Sequence, residues 1–257
     1  QVDYRERTVY FNGHLTQVHA YPISVDVAAL ERMASSLRVR EYERKLRPLF
    51  GEQTIVRVDR AEPSKNIVRG FRAFDILLQR HPELVGRVKM LAFLVPTRTH
   101  LKPYQRYLDD INQSVETLNS RYGTEQWRPI EVFYENNRPQ ALAAMRLCDV
   151  LLVNAVIDGM NLVAKEGPIV NTRDGVLILS EGVGAHDQLG TYALSVAPAD
   201  LEGTVNALYT ALTMPAEERK RRASALKEAI AKEDITVWLY RQLEDMLRLS
   251  LQPALAI

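Results

Sequence analysis

The feature that most constrains this chain is an alternation of short apolar runs with longer segments of helical period, sustained across residues 51–232. Residues 88–95 are apolar at every position but Lys89, as expected of a strand covered on both faces. Residues 54–59, 130–134, 150–153, 176–179 and 193–196 read as further strands. Between them, residues 67–78, 104–122, 141–147, 162–170 and 201–212 read as helices; Ile67, Phe71, Phe74, Leu77 and Leu78 mark one apolar stripe. Strands alternating with helices of this length predict an α/β fold, a doubly wound parallel sheet. Such sheets bind ligands beyond the carboxyl ends of their strands. The loops after Asp59, Val95, Tyr134, Val153, Leu179 and Val196 are therefore where function is expected.

The flanks read differently. Residues 18–23 suggest a strand, and residues 28–50 an exposed, charge-rich helix with Leu30, Met33 and Leu37 at helical spacing. Residues 217–231 and 236–249 complete the helices. The expected organisation is the end of a preceding domain and a linker helix over 1–50, a ligand-binding domain over 51–232, and a closing helix over 233–257. The chain opens at Gln1 without Met, and its early strand has no partner before it, so it is expected to be part of a longer protein. Trp238 and Leu239 are expected to pack across to that preceding domain.

Bulk properties exclude several classes. Of 257 residues, 46% are hydrophobic, ample for a core, and the net charge of +1 gives no reason to expect a nucleic-acid partner. No apolar run approaches the ~18–20 residues of a membrane span, and no signal peptide opens the chain, so the cytoplasm is the default location. The single cysteine, Cys148, excludes an intrachain disulfide framework and reads as a small buried hydrophobe. The five histidines, His14, His19, His81, His100 and His186, show no metal-ligand spacing; His186 lies close enough to the ligand edge for a minor contact. The run Glu217-Glu218-Arg219-Lys220-Arg221-Arg222 reads as a solvated helix face, and Tyr104 and Tyr107 as helix packing.

Two loops carry candidate chemistry. After the first strand of the domain comes Asp59-Arg60-Ala61-Glu62-Pro63-Ser64-Lys65-Asn66-Ile67. Arg60 and Lys65 sit in a strand-to-helix loop, where the helix adds free N–H groups and its positive dipole end. Two fixed cations there suit a diphosphate and would stabilise charge on a leaving nucleotide diphosphate without a metal; an exposed polar loop is an equal reading of these residues alone. The second loop, Asp158-Gly159-Met160-Asn161-Leu162-Val163-Ala164-Lys165-Glu166, follows the strand at 150–153 and opens a helix. Gly159 permits close backbone approach or positive φ, and the next N–H groups point outward from the helix start. Asp158 can accept from sugar hydroxyls. Glu166 lies roughly 12 Å further along by helical rise, a separation suited to a ribose diol. A capped helix with incidental acids remains the alternative at this point. The segment Ser180-Glu181-Gly182-Val183-Gly184 reads equally as a phosphate-facing loop or a tight turn.

The order of these residues resembles the trehalose-6-phosphate synthase family. The resemblance rests on Asp158-Gly159-Met160-Asn161-Leu162-Val163 with Glu166, on Arg60…Lys65, Pro96-Thr97-Arg98, Trp127…Pro129-Ile130, Asp149-Val150, Leu179-Ser180-Glu181 with Gly184-Ala185 and Leu189, and on Pro22-Ile23 with Asp26. It covers roughly residues 18–225. It implies the carboxyl-terminal, donor-binding half of a GT-B glycosyltransferase, two Rossmann-like domains with the active site between them. Arg60 and Lys65 would hold the donor diphosphate, Asp158 the sugar hydroxyls, and the backbone of Gly159, Met160, Asn161 and Leu162 the sugar and phosphate. Glu166 would bind the ribose, with Arg138 nearby at the nucleoside, and Arg98 the phosphate of the acceptor.

The reaction implied is a retaining hexosyl transfer, of glucose by preference, from UDP-, GDP- or ADP-glucose to a sugar phosphate, with no cofactor, no metal and the leaving phosphate helping to deprotonate the acceptor. The chain alone would bind donor without turnover, and a homo-oligomer is compatible with the sequence. Where the family has Arg-x-Asp-Tyr-x-Lys-Gly, this chain has Arg60-Ala61-Glu62-Pro63-Ser64-Lys65-Asn66, keeping the charges while allowing another loop shape. Alternatives are a related synthase with another donor or acceptor, such as a glucosylglycerol-phosphate synthase or a cyclitol-coupling pseudo-glycosyltransferase, or a non-catalytic homologue.

Overall fold

The computed structural model describes residues 1–251, so the last part of the expected closing segment, 252–257, lies outside the described residues. Six strands form the parallel sheet: β4 (Gln53–Ala61), β5 (Val88–Pro96), β6 (Ile130–Phe133), β7 (Val150–Val153), β8 (Val176–Ser180) and β9 (Leu194–Val196). Their order is β6-β5-β4-β7-β8-β9, with every pairing parallel. The reversal between β4 and β7 leaves a crevice at the carboxyl edge, as doubly wound sheets do.

Strand alternation sends successive side chains to opposite faces. Leu151, Val153, Leu177 and Leu179 enter one core, and Val150, Leu152, Val176 and Ile178 the other. The first core lies under α5 (Arg138–Leu147), α6 (Val163–Val170) and α9 (Ala216–Lys232). The second lies under α3 (Ile67–Arg80), α4 (Lys102–Tyr122) and α8 (Leu201–Thr213). A short helix α7 (His186–Leu189) follows β8.

The flanks depart from the sequence expectation. The single exposed helix over 28–50 is two helices, α1 (Val27–Ala34) and α2 (Leu37–Leu46). Ser36 splits them: its Oγ accepts from Val39 N–H, an N-cap that starts a new helix in a new direction. Neither is a bare linker, because Leu30, Ala34, Val39 and Leu46 are buried in the first core. Residues 18–23 form no strand. The strands lie earlier, as a small antiparallel sheet of β1 (Val2–Asp3), β2 (Thr8–Phe11) and β3 (His14–Gln17). Pro22 lacks an N–H for a ladder, and the carbonyls of this segment go to side chains and a helix end instead. Trp238 Nε1 donates to the Tyr21 carbonyl at 3.0 Å and Ile235 N–H to the Val25 carbonyl at 3.1 Å. Trp238, on α10 (Ile235–Leu251), thus packs on residues of this chain, while Leu239 beside it is exposed.

The charge run on α9 is not simply a solvated face. Glu218 pairs with Arg221 and Arg222. Arg222 also donates to the carbonyls of Tyr192 and Ala193, and Arg219 to those of Arg173 and Asp174, tying α9 to the loops beside β8 and β9. Cys148 is buried, and burial pushes its thiol up to about 12. Among the described residues no helix is long and apolar enough to cross a membrane.

Candidate functional site

The loop after β4 is shaped from beneath by Arg57, whose side chain is fully buried. Its Nε and Nη2 donate to Asp59 Oδ2 at 3.0 and 2.8 Å, Nη2 to the Lys65 carbonyl at 3.0 Å and Nη1 to the Ile67 carbonyl at 3.3 Å. A Cβ on Gly70 would stand 2.4 Å from Arg57 Nη1, so this glycine in mid-helix makes room for the guanidinium. Asn66 adopts φ 57°, the left-handed region where asparagine is enriched after glycine. Its Nδ2 donates to the carbonyls of Asn154 and Pro198, joining the loops that follow β4, β7 and β9. The departure at Asn66 therefore keeps the turn that a glycine would allow.

A second backbone tie, Val156 N–H to the Ser64 carbonyl at 2.7 Å, brings the donor-loop candidate alongside. That loop is held from its other side by the segment after β8. Asp158 N–H donates to Gly182, Gly184 N–H to Asp158, and Ala185 N–H to Met160, each at 3.0 Å. A Cβ at Gly184 would lie 2.1 Å from the Gly159 carbonyl oxygen, and one at Gly182 would lie 2.3 Å from that of Val156. The glycines of the 180–184 segment thus serve close backbone packing, the tight-turn reading of the sequence. At Gly159 itself a Cβ would meet nothing within 4 Å and φ is not positive, so what this glycine leaves is open approach to its backbone.

These loops enclose a cleft of about 430 Å³ lined by Val58, Asp59, Arg60, Lys65, Val95, Asp158 and residues 160–163. Lys65 is nine-tenths buried and its Nζ ion-pairs with Asp158 Oδ2, which also accepts from Asn161 Nδ2 at 3.1 Å. Arg60 stands at the rim, half exposed, 2.9 Å from Glu62. Helix α6 starts at Val163, within a residue of the expected start, and Asp158 lies in the loop before it, so Asp158 and Glu166 do not share one helix. Asn161 makes the difference: at φ 65° it turns the chain, and its Oδ1 accepts from Ala164 N–H. Among the described residues, no acceptor is found for the N–H groups of Gly159, Met160, Asn161, Leu162 and Val163. Four of these residues, Met160 to Val163, line the cleft that holds Lys65, so their unengaged N–H groups are candidate donors to anionic oxygens there. At the start of α3, expected to offer free N–H groups, that of Ile67 is taken by the Tyr107 hydroxyl at 2.8 Å, while no acceptor is found for that of Arg69 among the described residues. Tyr107 is therefore a cap as well as a packing residue.

A second cleft, of about 180 Å³, shares the walls Val58 and Val95 with the first. Phe93, Glu135, Asn136, Asn137, Arg138 and Glu166 complete it. Arg138 Nη2 donates to Glu166 Oε1 at 2.6 Å across its mouth. The two clefts lie side by side on the carboxyl edge. Arg98 lines neither: it sits in the loop after β5 at φ 49°, its Nη1 donating to the Tyr104 hydroxyl at 2.7 Å. His186 Nε2 is 2.8 Å from Ser195 Oγ and likewise lines neither cleft. Among the described residues, no group of three or more His, Cys, Asp or Glu side chains could hold a metal ion.

Sequence reasoning missed Arg57, which looked like an ordinary strand residue, and gave no role to Asp59 at the head of the loop. The available signal was an arginine inside an apolar run two positions before an aspartate, which strand alternation puts on the same face.

The family model for glycosyltransferase family 20 matches residues 1–248. An alpha,alpha-trehalose-phosphate synthase (UDP-forming) of Schizosaccharomyces pombe is 33% identical over 236 residues, 90% of this chain and 45% of the relative. Among solved structures, a Burkholderia xenovorans alpha,alpha-trehalose-phosphate synthase in complex with glucose-6-phosphate superposes with TM-score 0.85 at 31% identity, covering 93% of this chain and 54% of that one. An E. coli trehalose-6-phosphate protein bound with UDP-2-fluoro glucose superposes with TM-score 0.84 at 28% identity, covering 94% and 56%. The chain spans about half the length of these proteins. With the match running from its first residue nearly to its last, the chain belongs to glycosyltransferase family 20.

Proposed function

We propose that this chain supplies the nucleotide-sugar side of a retaining transferase that moves a glucosyl unit from UDP-glucose to a sugar phosphate, in the manner of a trehalose-6-phosphate synthase. The observation that carries the reading is the pair of adjoining clefts. One offers a buried lysine, a rim arginine and the unengaged N–H groups of Met160 to Val163; the other offers a carboxylate beside an arginine. A diphosphate fits the first, the sugar lies over Gly159 against Asp158, and the nucleoside diol reaches Glu166 in the second.

Lys65 and Arg60 then face the charge that develops on the leaving diphosphate, in a site where fixed cations act at low dielectric cost. Lys65 exchanges one of its donors from Asp158 to phosphate, which frees Asp158 for sugar hydroxyls. No divalent ion is assigned to this step, because Lys65 and Arg60 supply the positive charge it would otherwise bring. Arg98 takes the acceptor phosphate, since its loop follows β5 on the same edge of the sheet. The leaving phosphate assists acceptor deprotonation on the same face, which accounts for retention. Uridine is assigned because the relatives are UDP-forming synthases, and one solved relative carries UDP-2-fluoro glucose. The acceptor class is assigned because another carries glucose-6-phosphate.

Calorimetric titration with UDP, GDP and ADP tests the reading. UDP is expected to bind tightest, and Lys65→Ala to weaken it by about 1.5–3 kcal/mol, the range of a charge-assisted bond. Failure of all three nucleotides to bind would overturn it.

A further inference from the structure

Lys165 is adjacent to Glu166 on α6 but points to another side of the helix, and only 1% of it is exposed. Its Nζ donates to the Ile23 carbonyl at 2.9 Å, and burial holds its ammonium below the usual lysine range. A lysine seldom sits so deep without an ion pair; no carboxylate lies within ion-pairing distance among the described residues, and Glu233, on the wall of the same cleft, only partly offsets the burial. The lysine's one acceptor belongs to the segment 20–25. Three alternate carbonyls of that segment are each taken by a different donor: Tyr21 by Trp238 Nε1, Ile23 by Lys165 Nζ and Val25 by Ile235 N–H. The segment is thus a strap, with α10 at both ends and α6 at its centre.

Beneath the strap lies a cleft of about 1030 Å³, whose walls include Tyr21, Pro22 and Ile23 on one side, and Gly159, Met160 and Lys165 on the other. Met160 also lines the first cleft of the candidate site. The donor loop and the strap therefore face each other across one space, and Lys165 is the polar bond between the helix that follows the first and the backbone of the second.

We propose that Lys165 is a positioning residue that couples the donor loop 158–162 to the strap 20–25, so that nucleotide-sugar binding is felt at the strap and at α10 beyond it. This inference rests on the donor-binding reading above. Occupation of the Met160–Val163 N–H groups fixes the start of α6; Lys165 carries that ordering to Ile23, and the Tyr21 carbonyl carries it to the Trp238 indole. The side chain touches neither reacting atom nor nucleotide.

Trp238 is a natural reporter, because Trp127 is the only other tryptophan. In the full chain carrying Trp127→Phe, saturating UDP-glucose is expected to shift Trp238 emission. Lys165→Met is expected to abolish the shift while calorimetry still detects UDP-glucose binding. Lys165→Gln, whose amide can donate to Ile23, is expected to restore part of it, and serves alone should the Met variant not fold. An unchanged shift in Lys165→Met, or no shift in the parent despite calorimetric binding, would overturn the coupling. Loss of binding itself in Lys165→Met would overturn the positioning role in favour of direct contact. Absence of binding in the parent would instead defeat the donor-site reading, so the two failures are told apart.

Discussion

Replacing Arg57 by methionine should destabilise the protein more than any substitution on the rim of the site. The side chain is fully buried, and Asp59, whose carboxylate takes two of its N–H groups, is 8% exposed. Removing one partner of a buried pair leaves an uncompensated charge and costs roughly 3–5 kcal/mol. The carbonyls of Lys65 and Ile67 also lose their donor, so about 4 kcal/mol is a fair centre, or roughly 10 °C of melting temperature for a chain of this size. Urea unfolding at neutral pH measures it. The double variant Arg57→Met/Asp59→Leu should recover most of the loss, because an apolar pair of similar volume avoids the desolvation of both charges. Gly70 supplies an internal check. In the parent, Gly70→Ala drives a Cβ to 2.4 Å from Arg57 Nη1 and should destabilise. In the double variant the closest obstacle is gone and only the Asn154 amide, 3.2 Å away, remains, so the same change should cost distinctly less than in the parent. The reasoning is refuted if Arg57→Met costs less than about 1 kcal/mol, or if Asp59→Leu fails to rescue it.

Gly184→Ala should displace the Gly159 carbonyl and weaken UDP binding while costing roughly 1–3 kcal/mol of stability, as overpacking does; titration and thermal unfolding together would show it. Cys148 should stay unlabelled by iodoacetamide in the folded protein at neutral pH and react only on unfolding, since burial holds its thiol near 12. Glu218 is held down to about 2 by hydrogen bonds from Arg221 and Arg222. A carboxyl depressed in this way stabilises the fold above its unfolded value of 4.5 and loses that contribution as pH falls towards 2. The stability gap between parent and Glu218→Gln should therefore be fully present at pH 7 and close across that window.

The parallel sheet was legible because each strand announced itself independently: the apolar run at 88–95 and the short runs at 150–153 and 176–179 permit little else than strands covered on both faces. The loops at the ligand edge followed from that sheet by topology, and Lys65, Asp158 and Glu166 line two adjoining clefts there. What escaped was tertiary. Nothing local in residues 18–23 says that their carbonyls are taken by Trp238 and Lys165 rather than by a strand, since those partners lie far along the chain. Asp158 stands off the axis of α6 because Asn161 takes a left-handed φ, a choice open to asparagine but not dictated by its neighbours. Arg57 escaped because pattern reading looks for polar residues in loops, whereas this one shapes a loop from inside the sheet.

The central claim is that the loop after β4 and the loop before α6 hold one nucleotide sugar between them. A crystal structure of the chain with UDP-glucose tests it most directly. It should show the diphosphate against Lys65, Arg60 and the N–H groups of Met160–Val163, the hexose on Asp158 and the ribose on Glu166. A nucleotide sugar bound anywhere else on the molecule, or one that leaves the Lys65–Asp158 pair untouched, would contradict it.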